Sequence, residues 1–423
     1  MVQSSAIHTG IASLAAVAVS RGVECCVFDT SSVPACDLVE AFSRKLAEWA
    51  PDILGISCFT QNWNMVKTLL SASLHDYPGT RPLTVIGGPH VSAAPDAVMS
   101  CADIDLAVLG EGEVPFTGII GSLVSGGTFH DIPGILLRDG ATVRRNPGPE
   151  LVADLDALPY PDWGIFDASY LVAGTNCYNR QTVGVFNTSR GCPYRCRYCQ
   201  NDIYQQLYSD TRNFHREQSA ERVVAEIEDK LARYDFSLVV FMDETFVVNL
   251  DRLEVIAEAY KKRINLPCIV QTHPNTFSHR GMKLLKEMGV IEVKVGLECG
   301  NEDYRKRVLG RDTPNHRLMQ QFQIARDYGI PIHTTNIIGL PFETREMIIE
   351  TIELNRMLQV DRTCVNVYQP LPGTRLYDLC VEHKLLSGDD PSDLRFGADQ
   401  TVIKTLVSQQ ELYELKSMFP NVL

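Results

Sequence analysis

The chain has 423 residues, 39 basic and 52 acidic side chains, a formal net charge of −13 and 45% hydrophobic residues. That length exceeds one ordinary core and sets two domains as the expectation, while the acidic balance disfavours nucleic acid as the main partner. No apolar run approaches a membrane span and the first residues lack the basic and apolar parts of a signal peptide, so the 13 scattered cysteines fit reduced cytoplasmic thiols and a metal site better than a disulfide frame.

In chain order, residues 11–19 read as a buried, alanine-rich helix closed by Gly22. Residues 23–29 read as a strand, 37–49 as a helix, 52–58 as a strand, 61–76 as a helix, 83–90 as a strand and 105–113 as a strand. This rhythm predicts an α/β domain over residues 1–140 with a doubly wound, Rossmann-like parallel sheet. Ligands on such sheets lie at the carboxyl ends of the strands. The candidates there are Ser57, Gly87, Gly88, His90, Gly110, Glu111 and Gly112. Glycines at such ends let the backbone approach a flat, bulky ligand. A lone His such as His90 reads first as a loop-end side chain bonded locally. No phosphate-binding glycine motif is present.

Residues 141–180 form a linker. A hairpin over 134–143 turns at Asp139-Gly140 just before it, and Pro159 and Pro161 stiffen it. Trp163 reads as an anchor against the next domain rather than a residue of the site.

Over residues 181–395 six β-like runs recur, at 184–188, 237–242, 268–272, 292–297, 333–338 and 363–368. Each is followed by a stretch with apolar spacing of three and four, as in 220–231 and 347–358. This predicts a partial (β/α)6 TIM-type barrel with its functional residues just after each run. After the first run come Cys192, Cys196 and Cys199, spaced C-x-x-x-C-x-x-C on a loop with Gly191 and Pro193. Three sulfurs so close can converge on one inorganic centre. The nearest other cysteines are Cys177 and Cys268. The centre is therefore a cluster with one open iron, or a zinc site completed by a distant side chain such as His215. Polar or glycine-rich groups follow the other runs, at Asp243-Glu244, at 271–275, at 296–302, at 337–344 and at 369–377. Residues 396–423 form a short tail with a helix over 409–418. The remaining cysteines read as small buried residues. Cys177 and Cys299 stand apart from them, Cys299 as a candidate hydrogen-atom donor beside Glu298.

The three cysteines, with Tyr198 just before the last, resemble the cluster loop of radical S-adenosylmethionine (SAM) enzymes. The resemblance implies a [4Fe–4S] cluster on Cys192, Cys196 and Cys199 whose open iron chelates SAM. An electron then cleaves SAM to methionine and a 5′-deoxyadenosyl radical, which takes a substrate hydrogen. It also implies that Asp243 and Glu244 hold the SAM amine and that Glu298 reaches its ribose or amine. Arg311 would meet the SAM carboxylate, and Ile338, Gly339 and Pro341 the adenine. The segment 369–377 matches the family's P-x-P-G-T-x-L-Y closing turn.

Most of residues 6–150, through 86–95 and 110–113, is similar to the cobalamin-binding domain that precedes many radical SAM cores. Cobalamin at the sheet candidates above is implied, without a histidine ligand, since D-x-H-x-x-G is absent. The family usually opens with a strand before the segment matching 7–19, and the sheet is expected to lack it. The implied reaction is cobalamin-dependent methylation of an unactivated centre in a small metabolite or natural-product intermediate. An external one-electron reductant of flavodoxin or ferredoxin type would drive it. Two other readings stay open. One is a radical SAM dehydratase, epimerase or rearrangement enzyme whose sheet domain no longer transfers methyl. The other is a non-catalytic corrinoid or iron–sulfur carrier, which has no need of the SAM segments.

Overall fold

The structure, a computed structural model, describes residues 7–75, 77–166, 182–387 and 401–422. Cys177 lies outside the described residues.

The first sheet runs β1 (Ile53–Ser57), β2 (Leu83–Gly87), β3 (Leu106–Val108), β4 (Ile135–Asp139) and β5 (Thr142–Arg145), neighbours in that order. β1 to β3 are parallel, whereas β4 and β5 are antiparallel. The sheet is therefore mixed rather than wholly parallel. The hairpin turns at Gly140 as expected, at φ 59°, but adds to β3 and carries this sheet to Arg145. Residues 23–29 are not a strand. In a doubly wound sheet the second strand pairs with the first. Among the described residues 23–29 pairs with no strand and β1 forms the edge of this sheet. Helices Leu38–Trp49 and Trp63–Leu74 cover one face, packing Leu46, Trp63 and Leu70 with Ile86 and Ala107. Helix Glu113–Ser125 covers the other through Ile119, against Val85 and Leu106.

The second domain contributes β6 (Val183–Phe186), the short pair β7 (Ser189–Arg190) and β8 (Arg216–Glu217), then β9 (Leu238–Phe241), β10 (Cys268–Thr272), β11 (Val290–Glu298), β12 (Ile332–Ile338) and β13 (Arg362–Val367). The large sheet is ordered β13-β12-β11-β10-β9-β6 and parallel throughout. All six expected runs are strands of this partial barrel. Strand alternation sends Val239, Phe241, Val270, Val293 and Val295 outward into the helical layer, where they are buried. Hydroxyl and amide side chains start the surrounding helices. Ser219, Asn249, Ser278 and Thr344 each accept from a backbone N–H of the first turn.

Trp163 is buried against Phe186 and Tyr234, with ring centroids 5.3 and 5.5 Å away. It is the linker's anchor. The tail helix Gln409–Ser417 begins with a capping box of Ser408 and Glu411. It buries Leu412 and Leu415 beside Val365 and Val367 of β13, each worth roughly 2 kcal/mol. Val422 then bridges to Thr363 in parallel, extending the barrel edge. Among the described residues no helix is long and apolar enough to cross a membrane.

Candidate active site at the carboxyl ends of the barrel strands

The cysteine loop leaves β7 through Gly191, at φ 77°, where an added Cβ would overlap the Phe214 carbonyl. Only glycine fits there. The Gln205 amide donates to the carbonyls of Cys192 and Tyr194, both at 3.0 Å. Backbone bonds from Arg197 to Leu309 and from Leu376 to Arg197, also 3.0 Å each, stitch the loop to two other strand-end segments. Tyr194 stacks on His273, beyond β10, at 3.7 Å between ring centres. Burial, helped by Arg311, pushes His273 down to about 2, so it stays neutral.

Each cysteine sulfur has a polar neighbour. Thr245 Oγ1 is 3.5 Å from Cys192, Arg311 Nη1 is 3.6 Å from Cys196, and Asn201 Nδ2 is 3.9 Å from Cys199. Donors around sulfur suit anionic thiolates and tune the centre they bind. Burial pushes Cys199 up to about 12 and raises Cys192 as well; the positive charge of a bound metal would favour the thiolates.

The zinc alternative finds no support. His215 is committed elsewhere, with Nδ1 2.9 Å from the Gly191 carbonyl and Nε2 3.4 Å from Glu217. Among the described residues no three His, Cys, Asp or Glu side chains close on a single ion. Three cysteines with no fourth protein ligand suit a cluster that keeps one iron open.

The adjacent acids after β9 divide. Asp243 is fully buried and accepts from the Thr188 N–H at 2.9 Å and hydroxyl at 3.0 Å, and from the Ser189 hydroxyl. It faces the loop that leads to the cysteines rather than the mouth. Glu244 points the other way and is open to solvent. Burial by surrounding atoms still raises its carboxyl, and the Asn201 side chain bonds it. Of the pair, Glu244 is the one free to meet a cation.

Glu298 ends β11 at φ 68°, next to a register break with β12. A left-handed non-glycine residue at a bulge is a strained position of the kind found at functional sites. Its carboxylate is 4.0 Å from Arg311 and is bonded by the Tyr198 side chain. Burial alone would lower Arg311, but Tyr198, Cys196 and Glu298 outweigh it and keep the guanidinium charged. Arg311 also donates to Tyr198 at 3.3 Å and to the Gly296 carbonyl at 2.5 Å. Arg311, Glu298, Tyr198 and Cys196 are thus one network. Cys299 faces away. It is fully buried, 4.0 Å from Thr351 of the outer helix, and does not reach the mouth as a hydrogen donor must.

After β12, Ile338 turns its side chain into the outer core, and its carbonyl accepts from Tyr368 N at 2.8 Å. Gly339 has φ 71° with Leu412 close behind. The Pro341 carbonyl accepts from Tyr304 at 2.6 Å. Glu343, which sequence reasoning passed over, is buried and accepts from Leu340 N at 3.1 Å. It therefore sets the shape of this loop, and burial pushes its carboxyl up to about 8. Segment 337–344 includes this residue, but nothing in its spacing marks a role for it.

The sheet-domain candidates are less uniform. Ser57 is exposed, and Gly87 and Gly88 lie half-buried at adjoining strand ends. Gly88, at φ 102°, leaves no room for a Cβ beside the Cys58 backbone. This part of the edge, with exposed Phe59 beyond it, is open to a flat ring. His90 is 2% exposed, with Nδ1 3.2 Å from Thr60 and its ring near Trp63. Its partner Thr60 is thirty residues away in sequence, so the ring joins two strand-end segments rather than bonding within its own loop.

Gly110, Glu111 and Gly112 face protein. A Cβ on Gly110 would overlap the Tyr208 hydroxyl, and one on Gly112 would press Leu14. Glu111 accepts from Arg216 at 2.5 Å and from Val152 N at 2.8 Å, while its own N–H donates to Tyr208 at 2.9 Å. Glu113 accepts from Arg190 at 2.6 Å and Ser13 at 2.7 Å. These bonds join the sheet domain to β7, β8 and the helix Gln200–Leu207 that follows the cysteines. Sequence reasoning missed Arg190, Tyr208 and Arg216, because a contact between distant segments leaves no local pattern.

Comparison with known families accords with this geometry. Residues 2–120 match the B12 binding domain, and residues 186–354 match the Radical SAM superfamily. The chain thus pairs a B12-binding domain with a radical SAM domain, the arrangement of radical SAM enzymes that carry cobalamin ahead of the barrel. The cofactor set of such enzymes is a [4Fe–4S] cluster, SAM and cobalamin. Among its relatives, an uncharacterized methyltransferase, PH0819, of Pyrococcus horikoshii is 28% identical over 348 residues, which are 81% of this chain and 72% of that protein. The anaerobic magnesium-protoporphyrin IX monomethyl ester cyclase of Rubrivivax gelatinosus is 25% identical over 344 residues, 79% of this chain and 59% of that one. The chain thus spans less than two thirds of the second relative. In fold it is similar to the radical SAM methyltransferase TsrM of Kitasatospora setae, with a TM-score of 0.72 at 18% identity over 89% of this chain and 73% of that one.

Proposed function

We propose that this enzyme methylates an unactivated centre in a small molecule, using cobalamin and SAM. The observation that carries the reading is the Cys196–Arg311–Glu298–Tyr198 network beside an open Glu244, in a chain whose other domain is of the B12-binding class. When bound, the cluster and cobalamin supply one-electron cleavage of SAM and a transferable methyl group.

The residues of the chain bind and orient. Cys192, Cys196 and Cys199 would hold the cluster. Glu244 would accept from the SAM amine, a charge-assisted bond, while Asp243 positions the loop beneath. Arg311 would meet the SAM carboxylate, and Glu298 its ribose hydroxyls. The backbone of Ile338, Gly339 and Pro341, shaped by Glu343, would border the adenine. Cobalamin would lie against Ser57, Gly87 and Gly88. Electrons would come from a flavodoxin- or ferredoxin-type protein.

A second reading is non-methylating radical chemistry on the same scaffold. The filling of Gly110 and Gly112 by Tyr208 and Leu14 favours it, because it narrows the sheet edge left for a corrin. The test is anaerobic purification with cluster reconstitution, a visible spectrum for bound corrin, and product analysis with SAM and reductant. Bound corrin with S-adenosylhomocysteine as well as 5′-deoxyadenosine supports methylation. 5′-Deoxyadenosine alone from corrin-free protein overturns it in favour of the second reading.

A further inference from the structure

The start of a helix leaves its first backbone N–H groups without partners inside the helix. The helix Arg375–Glu382 finds partners for the first three, and two of those partners belong to the cysteine segment. Arg375 N donates to the Asp202 carboxylate at 3.1 Å and Leu376 N to the Arg197 carbonyl at 3.0 Å, while Tyr377 N donates to Thr374 Oγ1 at 3.2 Å within its own turn. Asp202 is 3% exposed, and its own N–H donates to the Cys199 carbonyl at 2.9 Å. A buried carboxylate needs donors. The Arg375 side chain supplies them as a fork, with Nε 2.9 Å and Nη2 2.6 Å from Asp202 Oδ1. The same Nη2 donates to the Arg195 carbonyl at 3.0 Å, 180 residues away in sequence.

From Gly191 to Cys199 the cysteine loop has no helix or strand of its own, so its shape depends on where its backbone groups bond. Four consecutive carbonyls are held. Tyr194 accepts from Gln205 at 3.0 Å, Arg195 from Arg375, Cys196 from Cys199 N at 3.2 Å, and Arg197 from Leu376 N. Two of the four donors thus come from one helix start. That start is itself fixed in place. Gly373, at φ 79°, lies where an added Cβ would be 3.1 Å from the Ala93 carbonyl of the first domain and 3.5 Å from Ile203 of the helix after the cysteines. Its carbonyl accepts from Gln206 at 3.3 Å. Arg375 occupies the second open position of P-x-P-G-T-x-L-Y, so the motif places the turn and leaves the arginine particular to this chain.

We propose that Arg375 is a positioning residue for the cluster. Locked by Asp202, its guanidinium fixes the Arg195 carbonyl and holds the run from Cys192 to Cys196 in the shape the cluster takes up. A loop ordered beforehand gives up less entropy when it binds. Groups that orient metal ligands change metal affinity on the order of 10–100-fold. This rests on the cluster's place on the three cysteines and does not depend on methylation.

The test uses the full chain, reconstituted anaerobically with iron and sulfide. The rate at which a ferrous-iron chelator bleaches the cluster absorbance is read beside the EPR spectrum of the reduced cluster and the melting temperature of the metal-free protein. Arg375→Gln should lose its cluster on the order of tenfold faster and show a changed spectrum. Asp202→Asn should do the same, and the double variant should be little worse than either, since the two side chains act as one unit. Leu415→Ala, which thins the core under the tail helix, should lower the melting temperature and leave rate and spectrum as in the wild type. A rate within about threefold of the wild type in folded Arg375→Gln overturns the proposal. An equal gain in rate in Leu415→Ala also overturns it, because general stability would then account for both. If the arginine variant does not fold, hydrogen exchange on the wild type decides. Residues 192–199 of the metal-free protein should stay protected as in the reconstituted form, and exchange at the rate of an unfolded chain overturns the proposal. Faster cluster loss in Arg375→Gln, in protein that binds no corrin, would fail the methylation reading alone. Corrin and cluster bound, with loss unchanged in Arg375→Gln, would fail this one alone.

Discussion

The barrel mouth and the edge of the first sheet occupy the same topological place, the carboxyl ends of parallel strands, yet they are used differently. At the mouth, side chains from several strand ends converge. Cys196, Arg311, Glu298 and Tyr198 share one network, and Glu244 stays open beside it. At the sheet edge only the Ser57 and Gly88 side is open, and the Gly110–Gly112 side is spent on holding the barrel. Strand ends mark where a site can form. Whether a glycine there makes room for a ligand or for a neighbouring domain depends on packing between segments about a hundred residues apart.

The sharpest way to break this contrast is Cys196→Ala. It removes a cluster ligand and leaves the sheet domain untouched. SAM cleavage should fall at least a thousandfold and iron content should drop, both measured on anaerobically reconstituted protein. A variant that retained activity would refute the cluster assignment.

The interdomain joint is the next target. Arg216→Met removes the nearer and more buried of the two guanidinium groups on Glu111 and leaves Arg190 at 3.6 Å. Breaking such a pair costs about 3 kcal/mol, to be read as a lowered midpoint in denaturant. An unchanged midpoint would mean that Val152 N and Arg190 hold Glu111 without Arg216.

The smallest effect probes the mouth itself. Glu343 is raised to about 8 by burial, so the native state binds more protons than the unfolded chain between the ordinary carboxyl pKa and about 8. Its wild-type contribution to stability therefore falls as pH rises across that window and is level above it. Glu343→Gln removes the dependence. The stability of the variant, read from its melting temperature, should gain on that of the wild type as pH rises from 5 to 8. A constant difference would show that Glu343 ionises normally.

Much of this was legible beforehand, for physical reasons. The six barrel strands are short apolar runs separated by amphipathic helices, and each pairs with a neighbour that the same rhythm supplies. The three cysteines declare themselves by spacing. Residues 23–29 have equally good strand composition, but a strand exists only with a partner, and composition says nothing of partners. Asp243 and Glu244 are alike in sequence. Which one faces the mouth follows from the Thr188 and Ser189 groups that capture Asp243, 55 and 54 residues away. Glu343, Arg190 and Arg216 were silent for the same reason: their roles lie in what they meet.

Gly110 has one more consequence. Its missing side chain is the space into which Tyr208 fits, so the two halves of the molecule meet through a gap smaller than a methyl group. Such a chain resists exchange of parts. A chimera that borrows the front half from a relative must borrow the segment bearing Tyr208 with it.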